Sequence, residues 1–371
     1  MKFCKRCVQP DTRPSIRFND EGICPACQYV DKIPDIDWQA RKEELKEIIK
    51  LGKENNVSGY DCIIGVSGGK DSTRQALFVK EQLGLKPLLV SCAYPPEQQT
   101  ERGAHNLSNM IALGFDTISI SLAPQTWKKM MKEGFYTFGN IFKSSEMPLF
   151  ASVPRVAIAY HIPLILWGDN PATQLGDLGV GSLNWNGNKM KFGNTIASGP
   201  QGLMTPGMTN QDIIWYKYPS DQEMEWARLQ LVYLGYFMKD WSKVDNAAFS
   251  IAHGLEIRND TVMEIGSLHP FESLDEDFVF VNQMLKCMKL GFGKVTDEVC
   301  EEIRLGRMTR EKAIELVKKY DGQCDEKYIL KFCKYLEITP EEFWRVAESY
   351  RNKDLWEKDQ TGKWVLKYPP Q

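Results

Sequence analysis

The sequence predicts an α/β protein built on a parallel sheet, with a cysteine-rich metal knuckle in front of it and a helical region behind. Three observations carry that reading. Short apolar runs alternate with helical patterns from Asp61 to Trp167. A Gly-rich hexapeptide, Ser67-Gly68-Gly69-Lys70-Asp71-Ser72, follows the first of those runs. Two Cys-x-x-Cys pairs precede everything else.

Taken in order, residues 1–35 read as the knuckle. Cys4 and Cys7 are separated by sixteen residues from Cys24 and Cys27, the spacing of a two-turn zinc site. Four thiolates close a tetrahedron around Zn²⁺, so the site is expected to be structural, and the Gly-, Pro- and Asp-rich segment between the pairs needs the metal to fold. The other six cysteines (Cys62, Cys92, Cys287, Cys300, Cys324 and Cys333) fall in apolar or helical patterns and read as small buried hydrophobes. Pro34 to Asp37 reads as a linker. Trp38, Leu45, Ile48, Ile49 and Leu51 recur at helical spacing and predict an amphipathic helix over 38–54.

From there the pattern alternates through residues 36–220. Strands are expected at 62–66, 86–93, 116–121 and 162–167. Helices are expected at 71–83, 98–113, around 125–131 and at 153–160. Near-continuous apolar strands separated by helices indicate a parallel sheet covered on both faces. Ligands of such sheets sit beyond the carboxyl ends of the strands, which places the 67–72 loop, Ser91 to Tyr94 and Gly168 to Asn170 around one crevice. Residues 171–220 break the rhythm, with eight glycines from Gly176 to Gly207 and Trp185 among three asparagines. A stretch this long reads as a lid or substrate loop, the alternative being a surface insertion. Residues 221–371 read as mainly helical. Met224, Ala227, Leu231, Leu234 and Met238 form one stripe, Arg310 to Tyr320 another, and Thr339-Pro340-Glu341-Glu342 is a capping box.

The hexapeptide carries the chemistry. A strand delivering a Gly-rich turn to a helix N-terminus gathers backbone N–H groups and the helix dipole at one point, which suits phosphate. Lys70 adds a point charge, Ser67 and Ser72 can donate, and Asp71 can hold a hard cation such as Mg²⁺. It is not a Walker A loop: three residues, not four, separate Gly65 from Gly69, and Asp71 follows Lys70.

Bulk properties bound the function. The chain has 371 residues, net charge −3 and 26% charged residues, so nothing attracts it to nucleic acid in general. No apolar run has the length of a membrane span. The N-terminus MKFCKRCVQPDTRPS has no apolar h-region, so no signal peptide is expected and the cytoplasm is the expected location.

SGGKDS resembles the SGGxDS loop of PP-loop ATP pyrophosphatases (adenine nucleotide alpha hydrolase-like). Together with FCKRCVQPDTRP, GICPAC, TERGAHNLSNMIALGFD, IPLILWGDNPATQLGD, LGFGKVTDEVCEEIRLGRMTREKAIELVKKYDG and ITPEEFW, the chain resembles, from Phe3 to about Trp344, the N-acetyl sugar amidotransferases of bacterial surface-polysaccharide and flagellin-glycan synthesis. The resemblance implies that an acetamido oxygen attacks the α-phosphorus of ATP, giving an O-adenylated imidate and pyrophosphate, after which ammonia expels AMP and leaves an acetamidino group. Either a UDP-linked diacetamido uronic acid or a free nonulosonic acid is an expected substrate. On this resemblance Ser67, Gly68, Gly69, Lys70 and Ser72 bind phosphate, Asp71 holds Mg²⁺, and Lys70, Asp71 and Asp169 are the catalytic set. Ser91, Tyr94 and Gly168 border the nucleotide. Asn170 and Gln174 hydrogen-bond the acetamido group or sugar, Trp185 stacks on a ring, and Lys294 reaches an anionic substrate.

None of the cysteines sits in a glutaminase nucleophile context: Lys2, not Cys, follows Met1, and neither DCIIG nor SCAYP is a Gly-flanked elbow. Ammonia is therefore expected from outside the chain, and the resemblance implies separate glutaminase and cyclase-like subunits, with no nucleic-acid or membrane partner expected. The rival reading is a PP-loop tRNA-modifying enzyme, a thiolase or lysidine-type ligase. A zinc-ribbon scaffold that keeps only the nucleotide fold is a further alternative, disfavoured by an Asp71 that has little use without a cation.

Overall fold

The computed structural model describes residues 1–54, 56–176, 183–192 and 194–371. Part of the predicted Gly-rich loop, residues 177–182 and 193, lies outside them.

Helix α1 (Pro25–Val30) closes the knuckle and α2 (Trp38–Glu54) follows it. Then come β1 (Cys62–Gly65), α3 (Lys70–Leu77), β2 (Pro87–Ala93), α4 (Glu101–Ala112) and β3 (Thr117–Ser121). Helices α5 (Pro124–Phe138) and α6 (Phe142–Tyr160) lead into β4 (Leu164–Trp167) and a single turn, α7 (Pro171–Gln174). Beyond the loop lie α8 (Asp221–Trp226) and β5 (Gln230–Tyr233). The rest is helical: α9 (Lys243–Ala252), α10 (Val262–Ile265), α11 (Phe278–Leu290), α12 (Lys294–Arg304), α13 (Arg310–Tyr320), α14 (Glu326–Leu336) and α15 (Pro340–Ser349). A short antiparallel hairpin of β6 (Trp356–Lys358) and β7 (Trp364–Leu366) follows them, in a region the sequence pattern reads as mainly helical.

The five-stranded sheet runs β3-β2-β1-β4-β5, parallel throughout. Strand β1 is central, and the order reverses there, so its carboxyl end is the switch point where ligands bind. Alternation splits its side chains between two cores. Ile63 faces the layer of α5 and α6, whereas Cys62 and Ile64 face α2 and α3. The first layer continues into the C-terminal helices through an aromatic cluster. Phe135 stacks on Phe343 at 5.4 Å and meets Phe332 edge-on at 5.6 Å.

Several elements depart from the sequence expectation. The stripe from Met224 to Met238 predicts one helix. Instead a Ser220–Glu223 capping box starts α8, Arg228 turns the chain with φ +50°, and Gln230–Tyr233 pairs with β4 as an edge strand. Apolar residues at i, i+3 and i+7 mimic a helix, but the Leu-Val-Tyr run fits a buried strand. The sheet thus takes a strand from beyond residue 220. The helix expected at 153–160 begins at Phe142 and runs through Pro148 and Pro154, because its buried face packs on the sheet along its whole length. Helix α3 ends one turn early, and Phe78–Gln82 winds on as a wider π turn. Thr100 caps α4, moving its start to Glu101. Among the described residues, no helix is long and apolar enough to cross a membrane.

Candidate active site

The site is built at the carboxyl end of β1. Gly68 has φ +83°, and a Cβ there would lie 2.8 Å from the Leu107 backbone nitrogen, so the loop requires glycine at that point. The loop braces itself through its serines. Ser67 N–H donates to Ser72 Oγ at 3.0 Å, and Gly69 N–H donates to Ser67 Oγ at 3.3 Å. Helix α9 packs along α3: Ser250 Oγ donates to the Lys70 carbonyl at 2.7 Å, and Asn246 Nδ2 donates to Asp71 Oδ1 at 2.8 Å.

Lys70 is buried, and its ammonium lies 3.0 Å from Asp71 Oδ2 and 3.2 Å from Glu272 Oε1. Burial opposes its charge, but Asp71 and Glu272 hold its pKa above the ordinary value. Glu272 also takes the Lys294 ammonium at 2.7 Å. Burial works against the Glu272 carboxylate too, yet Lys294, Lys70 and Lys243 hold it well below the usual range. Asp71 keeps 38% of its side-chain surface exposed, and each of its oxygens has one partner, so it retains lone pairs for a divalent cation.

Two hollows flank this loop. A polar chamber of about 90 Å³ is bordered by the loop, Asn106, Phe271 and Asp275. Burial pushes the Asp275 carboxyl up to about 6. A larger, mostly apolar cleft of about 390 Å³ runs from Ser67 and Gln75 past Val90 and Cys92 to Phe150, Trp167 and Gly168. Phe150 and Trp167 stack at 5.3 Å to form one wall.

The structure brings together Ser67, Gly68, Gly69, Lys70, Asp71, Ser72 and Gly168, and draws Lys294 in through Glu272. Gly168 stands where a Cβ would strike the Gln75 carboxamide at 2.6 Å. Asp169 adjoins this group: burial pushes its carboxyl up to about 6, the Asn170 N–H bond works the other way, and the Asp71 charge adds to the rise. Gln174 Nε2 donates to Asp169 Oδ1 at 2.9 Å, so in this state its amide holds the carboxylate. Asn170 is buried and donates to the Gly235 carbonyl at 3.2 Å, tying the β4 exit to the β5 exit.

Three residues are placed elsewhere. Trp185 lies along the outer edge of β5, where its carbonyl accepts Tyr233 N–H and its indole donates to Glu44 at 2.7 Å. It borders neither hollow and packs instead against the core on the α2 side of the sheet. Tyr94 is buried edge-on against Trp127 at 5.6 Å, and Ser91 is buried within β2. Neither lines the cleft, which takes Val90 and Cys92 from that strand. Sequence reasoning missed Glu272, Asn246, Lys243 and Asp275. Asn246 and Lys243 sit in an ordinary amphipathic helix. The acidic run Glu272 to Asp277, just before α11, is the one local signal that marks the segment.

At the knuckle, Cys4, Cys7, Cys24 and Cys27 are buried with their sulfurs within 4.8 Å of one another. Cys24 N–H donates to Cys4 Sγ at 3.2 Å and Gln9 N–H to Cys7 Sγ at 3.4 Å. Backbone donors aimed at sulfur favour thiolates, so the donor set fits a thiophilic metal ion. Cys300, read from sequence as packing, lies in the same cluster against Cys7.

A parallel 3-2-1-4-5 sheet carries the SGGKDS loop at the carboxyl end of its central strand, the placement that the resemblance to PP-loop proteins leads one to expect. Residues 272–368 match the family model "LPS biosynthesis protein WbpG-like, C-terminal domain". An uncharacterized protein of Methanocaldococcus jannaschii, MJ1599, is 36% identical over 89 residues, which are 24% of this chain and 31% of that protein. The chain thus spans about a third of that relative's length. Among solved structures, the NMN synthetase of Francisella tularensis shares 16% identity over 52% of this chain and 93% of its own, with a TM-score of 0.28. The U34-tRNA thiolase NcsA of Methanococcus maripaludis, solved with its [4Fe-4S] cluster, shares 11% identity over 91% and 96%, with a TM-score of 0.30. Those scores are too low for either likeness to bear on this chain's chemistry.

Proposed function

We propose that this protein is an ATP-dependent synthetase that activates the acetamido oxygen of an N-acetyl sugar by adenylation and replaces it with ammonia, releasing pyrophosphate and AMP. The observation that carries the reading is the meeting of two independent signals in one pocket. Glu272 and Asp275 come from the segment that matches the polysaccharide-biosynthesis family, and they stand against Lys70 and Asp71 of the pyrophosphatase-type loop.

In this reading the 67–72 loop grips the β- and γ-phosphates, and the apolar cleft past Phe150 and Trp167 takes the nucleoside. Mg²⁺, when bound, neutralises charge building on the departing pyrophosphate. Asp71 has the free lone pairs to hold it. Lys70 exchanges its carboxylate partners for phosphate oxygens. Asp169, beside Asp71, is assigned to the reacting group, and Lys294 and Lys243 supply positive charge for an acidic sugar. Zn²⁺ is the ion assigned to the four thiols, and ammonia is assigned to separate glutaminase and cyclase-like subunits.

The test is pyrophosphate release by purified protein with ATP, Mg²⁺ and ammonium across a panel of acetamido sugars, with mass spectrometry of the product. Release that depends on one sugar, with NH replacing oxygen in it, is the expected result. Release with tRNA and with none of the sugars would overturn the reading in favour of RNA modification. Robust turnover with glutamine by this chain alone would remove the partner subunits from it.

A further inference from the structure

A groove of about 1000 Å³ runs along α2, on the side of the sheet away from the Phe150–Trp167 cleft. Helix α2 is one bank over its whole length, from Trp38 to Glu54. The π turn that ends α3 and the turn after β5, residues 237–240, are the other. Ile49, Phe78, Leu83 and Phe237 floor the groove; each packs on the core beneath and is only partly buried. Five lysines line it, Lys42, Lys46, Lys50 and Lys53 on α2 and Lys239 facing them, against two carboxylates, Glu54 and Asp240. Asp240 is engaged by Arg74 at 2.5 Å. Lys46 reaches Glu43 on its own helix at 2.9 Å, and Lys53 reaches Asp61 at 3.1 Å. Among the described residues, Lys42, Lys50 and Lys239 form no ion pair. This positive rim stands on a chain whose net charge is −3. The α2 lysines follow one another by four, four and three residues, so they form a row along one edge of the helix, one per turn, beside the apolar stripe of Trp38, Leu45 and Ile49.

We infer that this groove docks an acidic amphipathic helix of a partner protein. A recessed apolar floor between two banks accepts the ridge of apolar side chains on such a helix, and carboxylates spaced once per turn beside that ridge meet the lysine row. Helix α2 has 17 residues, about 25 Å, so four turns of a partner lie alongside it. The chemistry disfavours the other anionic surfaces. A nucleic-acid backbone would meet the lysines but set phosphates over an apolar floor. A bilayer takes apolar side chains that protrude, whereas these lie below a rim of lysines. The floor supplies the affinity, and the exposed lysines, each weak alone, supply steering and register. A helix seated here leaves the Phe150–Trp167 cleft open. The inference stands apart from the activity proposed above.

Fluorescence anisotropy on the full chain, with two labelled synthetic helical peptides, tests it. Both peptides match α2 in length and carry a leucine stripe; glutamates flank the stripe in one and lysines in the other. The glutamate peptide is expected to bind, more weakly as salt is raised, and to slow hydrogen–deuterium exchange at residues 38–54 and 78–85. The lysine peptide is expected not to bind. Reversing three exposed charges together, Lys42→Glu, Lys50→Glu and Lys239→Glu, is expected to weaken the glutamate peptide by about tenfold or more and to admit the lysine peptide, with the melting temperature unchanged. Equal binding of the two peptides, binding of neither, or protection at another surface would overturn the inference. So would capture of phosphatidylglycerol vesicles or of tRNA by a wild-type protein that ignores the glutamate peptide. Self-association of the wild type that the triple variant abolishes would overturn it too, giving the groove to a second copy of the chain. A positive peptide result beside a failed pyrophosphate assay would sink the proposed activity and leave the docking surface standing.

Discussion

Asp71 and Asp169 are both carboxylates of the crevice, and their surroundings set them apart. Asp71 is half-exposed and anchored by Asn246 and Lys70. Replacing it by Asn keeps the Asn246 contact available and removes the charge. Pyrophosphate release is expected to fall by about a hundredfold or more in Asp71→Asn, the scale of a lost transition-state charge contact, with little change in melting temperature. Asp169 instead has its carboxyl pushed up to about 6 by burial. A carboxyl raised in the folded state binds more protons there than when unfolded. Its destabilising effect is therefore absent below the ordinary carboxylate range, grows as pH rises toward about 6, and is complete above it. Asp169→Asn is expected to stabilise the fold at pH 8 by up to about 3 kcal/mol and to have no such effect at pH 4. Thermal melts at the two pH values check this, and equal shifts would refute it. The 67–72 site was legible because six contiguous residues define it. Glu272 was not, because nothing local distinguishes it until folding sets it between Lys70 and Lys294.

At the scale of elements, the strands of the sheet were legible wherever apolar runs were bounded by turns, as at Cys62–Gly65 and Pro87–Ala93. Strand β5 was not, because Leu231 continues the stripe of the helix before it; only the positive φ at Arg228 and the pairing with β4 separate them. Trp185 misled for a related reason. A tryptophan in a Gly- and Asn-rich stretch invites a ligand-stacking role, but pairing at the β5 edge gives it a structural one. The joint between α5 and the C-terminal helices rests on Phe135, Phe332 and Phe343. Phe343 is fully buried there, so Phe343→Ala is expected to cost about 3–5 kcal/mol, measured by denaturant unfolding. A loss below 1 kcal/mol would mean the aromatic joint is not what holds these layers together.

For the whole molecule, the knuckle is no appendage. Its thiols pack with Val295, Val299 and Ala313, Thr12 Oγ1 donates to the Leu290 carbonyl at 2.5 Å, and Arg310 Nε donates to the Cys7 carbonyl at 3.3 Å. Loss of the metal should therefore be felt far from residues 1–35. Cys24→Ser is expected to lower metal content and to broaden or split the melting transition, with the C-terminal helices loosening along with the knuckle. A protein that lost its metal yet melted as before would contradict that. The spacing of the cysteines made the site readable; its burial under helices some three hundred residues downstream was not, because long-range packing leaves no local pattern.

That separation also orders events during synthesis. The four thiols are made well before α12 and α13, which cover them. For most of translation the cysteines stand open to solvent, to oxidants and to any metal present. In the folded protein the four cysteines are buried, each 0–1% exposed. An ion held by these thiols would then sit beneath α12 and α13, with the downstream helices between it and solvent.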